Sequence, residues 1–460
     1  MRDGSAGVQT QVEALGGQAL SGPERRRAVL HLALPIIGGM ASQNVLNLVD
    51  TAMVGVLGAE ALAAVGLGSI VNFLCSAFVT GLSAGVQALV ARRVGEGRQQ
   101  QAAWPLNAGL LLALQMAVPW SALLFWAAPH IFPWLSDDAA VRRLGTPYLQ
   151  IRLTALLAMG CNFAFRGYWS AVGRSGLYLR TLVIMHLSNA LLNWVLIFGK
   201  LGMPALGVRG AALASAIATY IGTGLYLLWG LQYARETGFL RGGTSGETRQ
   251  AILRLSLPAC LQQGFFAGGM TAFLWVVGRL GTEALAVTHV LLNLLLIGIL
   301  PGLGFGIAAA SFVGQSLGRG SAAEARAWVR EVARMAFALV ALLTVPAIIA
   351  PDWVLAPFLH ESATRALASG PMRLVAIFLS LDTVGMVWMH AQIGAGDTRR
   401  MMWVSMTLQW CLFLPAAYAV GPLWGWGLGA VWVAHVVYRQ IQMLVFGGLW
   451  RSGAWAKVAV

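Results

Sequence analysis

The chain has 460 residues, 58% of them hydrophobic and only 10% charged, with a mean hydropathy of +0.71. A soluble domain carries about 25% charged residues, so the composition excludes an ordinary soluble protein and points to repeated membrane crossing. The formal charge of +14 does not indicate nucleic acid, because the bases stand singly and in pairs between apolar stretches, as topology signals do.

In chain order, residues 1–22 are rich in Gly, Gln and Ala and lack an apolar core. They fit a disordered cytoplasmic tail and not a signal peptide. Twelve spans of at least ~20 residues follow: 32–57, 63–91, 103–128, 146–171, 177–199, 206–232, 251–278, 285–313, 327–350, 367–394, 401–420 and 425–449. They are expected to be helices, since backbone polar groups find no water partner in lipid. The period-two alternation of a β-barrel is absent. Between the sixth and seventh spans, "RETGFLRGGTSGETRQ" (235–250) reads as a flexible cytoplasmic linker. Residues 451–460 close the chain as a second cytoplasmic tail.

With the N-terminus inside, most bases fall on the cytoplasmic side. Of 31 Lys and Arg, the exceptions are Arg142, Arg143, Arg152, Lys200, Arg209, Arg279, Arg365 and Arg373. This bias places both termini in the cytoplasm.

The two halves resemble each other. "HLALPIIGG" opens the first span and "RLSLPACLQ" the seventh, so that Pro35 aligns with Pro258 at an offset of 258 − 35 = 223. The same offset aligns "VLGAEALAA" (56–64) with "RLGTEALAV" (279–287), and "VGEG" (94–97) with "LGRG" (317–320). The repeat predicts two six-helix lobes, 23–234 and 251–450, related by a pseudo-two-fold axis along the membrane normal, a plan that recurs in transporters.

Seventeen Asp and Glu are present, and only Asp50 and Asp382 lie well inside spans. A charge at the bilayer centre costs roughly 2.5–3.5 kcal/mol on insertion scales, so an acid kept there is by default a functional candidate. Gln43, Asn47 and Asp50, spaced i, i+4, i+7, share one stripe of the first span. Asn189 and Asn193 form an i, i+4 pair in the fifth, with His186 on the same face, and Ser215 stands in the sixth. Amide oxygens around one carboxylate can hold Na⁺ or meet a protonated acid.

Enzyme signatures are weak. "GQSLG" (314–318) fits GxSxG but ends a membrane span instead of linking a strand to a helix. P-loop and HExxH motifs are missing, as is any CxxC pair among the four cysteines. An integral membrane enzyme would need a catalytic cluster that the sequence does not supply, so the chain is read as a non-enzyme.

The segments "LALPIIGGMASQNVLNLVDTAMVGVLGAEALAAVGL", "ALVARRVGEGR", "GVRGAALASAIATY", "LSLPACLQQ", "ASFVGQSLGRG" and "GAGDTR" resemble the multidrug and toxic compound extrusion (MATE) family of secondary transporters, over about residues 25–450. The resemblance implies an all-α, V-shaped pair of six-helix bundles in the bacterial inner membrane. It also implies efflux of organic cations driven by inward H⁺ or Na⁺ flow. No cofactor is expected, and a monomer is expected because the two lobes supply their own cleft. The resemblance places Asn189 and Asn193 against Asp50, and Gln43 and Asn47 from the same stripe, with Ser215, complete the candidate cation-coupling set. Asp50, Asn189 and Asn193 would be the Na⁺ ligands if sodium is the driving ion. Some members add an Asp on the tenth span and a Glu on the seventh. Asp382 matches the first, but the seventh span offers only Gln262 and Gln263. Asp382 is then left to attract cationic substrate or to serve the fold. Trp388 and Trp410 offer aromatic faces for a cation, and Met386 and Met389 an adaptable wall; packing and an interfacial belt are the competing readings. A lipid-linked oligosaccharide flippase of the same superfamily would need more bases inside its spans.

Overall fold

The computed structural model describes residues 21–458. Among these residues no strand occurs, and the elements are α1 (Gly22–Gly55), α2 (Ala59–Thr80), α3 (Leu82–Gly95), α4 (Trp104–Leu135), α5 (Ala139–Thr154), α6 (Leu156–Ala171), α7 (Ser175–Phe198), α8 (Val208–Tyr233), α9 (Gly246–Gly278), α10 (Thr282–Gly318), α11 (Ala322–Ile349), α12 (Pro351–Leu355), α13 (Ser362–Gly394), α14 (Thr398–Thr407), α15 (Leu414–Tyr418) and α16 (Gly427–Ser452). The expected N-terminal tail falls almost wholly outside the described residues.

Ten helical stretches among the described residues are long and apolar enough to cross a membrane. The other two expected spans are also helical. The fourth is split at Ala155, whose N–H bonds to Arg152 O three residues back at 3.1 Å. The twelfth, α16, is diluted by His435, Tyr438, Arg439, Gln440 and Gln442. The eleventh reaches Trp424 through two π-helical stretches, Leu408–Phe413 and Ala419–Leu423. Pro415 and Pro422 lie beside or within them, and wide turns absorb the hydrogen bonds a proline cannot make. Large apolar side chains face outward, among them Trp126, Leu187 and Leu342, as expected where lipid is the solvent.

The chain forms two compact units. One comprises residues 38–261; the other joins the segment ending at Ile37 to residues from Gln262 onward. The divisions fall inside α1 and α9, just after Pro35 and Pro258, and not in the linker. The first half of each of these helices therefore packs with the unit that the rest of that helix does not join. Packing explains the choice. A Cβ at Gly81 would meet Cys260 N and Ser256 O, and one at Gly304 would meet Ile37 and approach Ala33 O. Adding the repeat offset of 223 converts 81, 37 and 33 into 304, 260 and 256. The sequence repeat thus extends to the notches that receive the exchanged half-helices.

These notches lead to an ordered expectation. At Gly81 the added methyl would strike backbone, whereas at Gly304 its nearest neighbour is the Ile37 side chain. Overpacking costs about 1–3 kcal/mol. Gly81→Ala is expected to lower the melting temperature of the purified protein more than Gly304→Ala. Gly66→Ala, where a Cβ has open space, is the neutral control. Equal melting of all three would show that the notches are not filled.

The linker is not the loose connection that its composition predicts. Asn107 Nδ2 donates to the carbonyls of Gly238 and Gly242, both at 2.8 Å, and its Oδ1 accepts from Leu240 N at 2.9 Å. Thr237 O accepts from Ala103 N at 2.9 Å. Phe239 is buried against Phe165, which stacks on Tyr226 at 5.3 Å. One buried amide from α4 thus fastens the Gly-rich segment to the residue 38–261 unit.

Candidate ion-coupling site

Asp50 lies near the C-terminal end of α1, half-buried, facing α7. Asn189 and Asn193 stand one turn apart on α7 and are 2% and 1% exposed. Asn193 Nδ2 donates to Asp50 Oδ1 at 2.6 Å. The Asn189 amide fits in two orientations. In one it donates to Ser215 Oγ on α8 at 3.2 Å and accepts from Asn193 Nδ2 at 3.0 Å. In the other, which satisfies more groups, its nitrogen donates to Asp50 Oδ1 at 2.9 Å. Its oxygen then accepts from the hydroxyl and N–H of Ser215, both at 3.2 Å. Each orientation leaves the carboxylate facing at least one amide N–H. Such charge-assisted bonds are the strong kind.

Asp50, Asn189, Asn193 and Ser215 are therefore brought together, a grouping that the family resemblance implies and helical spacing alone does not. Gln43 and Asn47 are grouped differently. Gln43 Oε1 lies 3.1 Å from His186 Nε2, and Gln43 Nε2 donates to Asn47 Oδ1 at 3.1 Å. These three form a second polar cluster between α1 and α7, with Asn47 itself exposed. Further residues join the same bundle without any sequence signal beyond their polarity. Asn162 of α6 accepts from Thr223 Oγ1 at 2.8 Å and donates to Thr219 O at 3.2 Å. Arg152 of α5 is close enough for its charge to act on Asp50. Helical spacing could not find these, because they come from helices other than α1 and α7.

The second intramembrane acid has a partner that sequence reading did not name. Arg439 Nη2 donates to Asp382 Oδ2 at 2.8 Å, and Arg439 Nη1 to Gln442 Oε1 at 2.7 Å. The sequence grouped Arg439 with the cytoplasmic bases; in the structure it stands midway along α16. Gln262 Nε2 donates to Ser405 Oγ at 2.9 Å and touches Met389 Sδ at 3.4 Å, while Gln263 is exposed. Met386 is buried against Gly302, and Trp388 packs over Gly447. Trp410 remains 40% exposed, its indole N–H donating to Phe265 O at 3.1 Å. Of the aromatic and methionine candidates, Trp410 is thus the one most open to a ligand.

Asp397, in "GDTRR", precedes α14 and pairs with Arg400 at 3.2 Å. Burial pushes its carboxyl upward against the lowering pull of Arg400. Among the described residues no group of three or more His, Cys, Asp or Glu is placed to hold a metal. A sodium ion at Asp50 would rely on amide and hydroxyl oxygens.

The MatE family model matches residues 35–195 and 258–419. The two matches begin 258 − 35 = 223 residues apart, the internal offset noted above. The chain is 26% identical over 450 residues to the "Probable multidrug resistance protein NorM" of Thermotoga maritima, covering 95% of each chain. It is 30% identical over 426 residues to the protein of that name from Agrobacterium fabrum, covering 89% of this chain and 90% of the relative. Among solved structures, a MATE protein in complex with MaL6 superposes with a TM-score of 0.86 at 23% identity, covering 94% of this chain and 98% of that one. An outward-facing multidrug resistance MATE transporter gives 0.86 at 22% identity, covering 94% and 97%. At these identities the two structures speak to the fold alone.

Proposed function

The chain belongs to the MatE family of membrane transporters, and from that premise we propose that it is a multidrug exporter that expels organic cations in exchange for H⁺ or Na⁺. The observation that carries the reading is the position of Asp50, an acid inside a membrane helix facing amides of α7. A carboxylate kept there at a desolvation cost is most simply explained by a cation that comes and goes.

The same atoms suit both states of such a cycle. An ionised Asp50 is held by amide N–H groups of Asn193 and Asn189. Asn193 Oδ1 is buried without a hydrogen-bond partner. It is free to accept from a protonated Asp50 or to ligate a sodium ion beside the carboxylate and the Ser215 hydroxyl. Uptake of the ion cancels the charge, so the amides lose their reason to point nitrogens inward. Turning the Asn189 amide over exchanges its bond to Asp50 for one with Asn193, while Ser215 stays bonded in both orientations. That links occupancy of the site to the packing of α1 against α7 and α8, and a bound organic cation is released when its countercharge disappears. The basic loops support cytoplasmic termini, and the named relatives, from bacteria, support a bacterial inner membrane. No cofactor is required, and a single chain supplies both units.

The test is transport in proteoliposomes containing the purified protein, with ethidium as the organic cation. Gradients of pH and of sodium are imposed separately, with choline replacing sodium. Ethidium movement driven by one gradient is the expected result and identifies the ion. Movement unaffected by either gradient overturns the proposal.

A further inference from the structure

We propose that Arg439 is a resident counter-ion that keeps Asp382 from taking up the transported ion or an organic cation, so that ion exchange is carried by Asp50 alone. The inference rests on the antiport reading for its meaning, but its physical content can be tested without transport.

The two side chains are 10% and 20% exposed and 2.8 Å apart. Gln442 holds the other arm of the guanidinium, so the charge is aimed at the acid and does not drift beside it. Arginine keeps its proton at any accessible pH. A cation on the same bundle, already in contact, acts at a far higher effective concentration than a dissolved competitor. The acid that could bind sodium or drug is therefore occupied by part of the protein. The seventh span agrees with this. Gln262, the neutral residue where a second acid would be expected, is engaged with Ser405 and Met389 and not with Asp382. Tyr438 and His435 are the other titratable groups on α16 close to the pair, and neither is replaced in the test below.

The proposal distinguishes two ways of removing Asp382. A coupling acid cannot be deleted without loss, whatever stands next to it. An acid that merely neutralises Arg439 can be deleted harmlessly if Arg439 goes too. Breaking one side of a buried pair is strongly destabilising because it strands the other charge.

Four proteins are compared in a D50N background, which removes the α1 site: the unchanged pair, D382N, R439Q and D382N/R439Q. Each is melted in detergent at pH 8 in sodium or choline, and again in choline at pH 5. D382N is expected to melt roughly 5 °C or more below the unchanged pair, with the double variant recovering most of the loss. The unchanged pair and the double variant should respond alike to sodium and to acid. R439Q alone should gain an extra stabilisation by one of them, as its freed carboxylate takes up an ion. A sodium or acid response of the unchanged pair that D382N/R439Q lacks would overturn the proposal. The second arm keeps Asp50 and measures ethidium transport, so it does not depend on R439Q folding alone. D382N is expected to lose at least about tenfold in rate, a loss worth about 1.4 kcal/mol, and D382N/R439Q to regain it. No recovery in a well-folded double variant refutes the inference. Absent transport in every protein, the unchanged chain included, refutes instead the antiport reading, and the melting result still decides on the pair.

Discussion

Asp50→Asn is expected to abolish ion-driven efflux while the protein still inserts and folds. The substitution keeps shape and volume and removes only the charge. Hydrogen bonds to a charged group contribute about 1.5–3 kcal/mol, so losing the carboxylate should weaken cation capture roughly 10–150-fold. The amide that replaces it can still bond to Asn193 at 2.6 Å or Asn189 at 2.9 Å after turning over, so the packing of α1 against α7 survives. The measurement is ethidium efflux from everted vesicles at matched expression. Pumping at the wild-type rate would remove Asp50 from the mechanism. Asn193→Leu should fail nearly as badly, because it takes away both the donor and the spare oxygen. Asn47→Ala should retain efflux, since Asn47 is exposed and bonded to Gln43 instead.

Asn107→Ala is expected to produce the second large effect, on the linker. The side chain makes three hydrogen bonds to the backbone of residues 238–242, and the asparagine is 5% exposed. Each buried backbone group left without a partner costs about 1–3 kcal/mol. The segment should then open at least about tenfold more often, the factor that 1.4 kcal/mol represents. Arg235 and Arg241 are exposed within it, so limited trypsin digestion of the purified protein reads the change directly. In the wild type these sites should resist cleavage despite the surrounding glycines, and in N107A the protein should split into two large fragments. Rapid cleavage of the wild type at Arg241 would show that the amide does not fasten the linker.

Much of this molecule is legible without coordinates. Apolar length alone specifies helices, because in hydrocarbon the backbone must bond to itself. An offset of 223 specifies two equivalent halves, and the rarity of intramembrane acids singles out Asp50 and Asp382. The period of a helix places Asn189 and Asn193 on one face and Gln43, Asn47 and Asp50 on another. What it cannot do is say which members of two stripes meet, and here Asp50 joins the asparagines while Gln43 and Asn47 join His186.

The tertiary structure decided three matters that lie beyond local pattern. It divided the units inside α1 and α9, because Gly81 and Gly304 open notches that only a neighbouring half-helix can fill. It fastened a glycine-rich linker, because one asparagine 131 to 135 positions away in sequence presents matching donors and an acceptor. It paired Asp382 with Arg439, 57 residues distant. Hydropathy and spacing register what each residue is and what lies within a few turns of it. Whether a buried charge is open or already answered depends on a partner from another helix, and only folding brings that partner within reach.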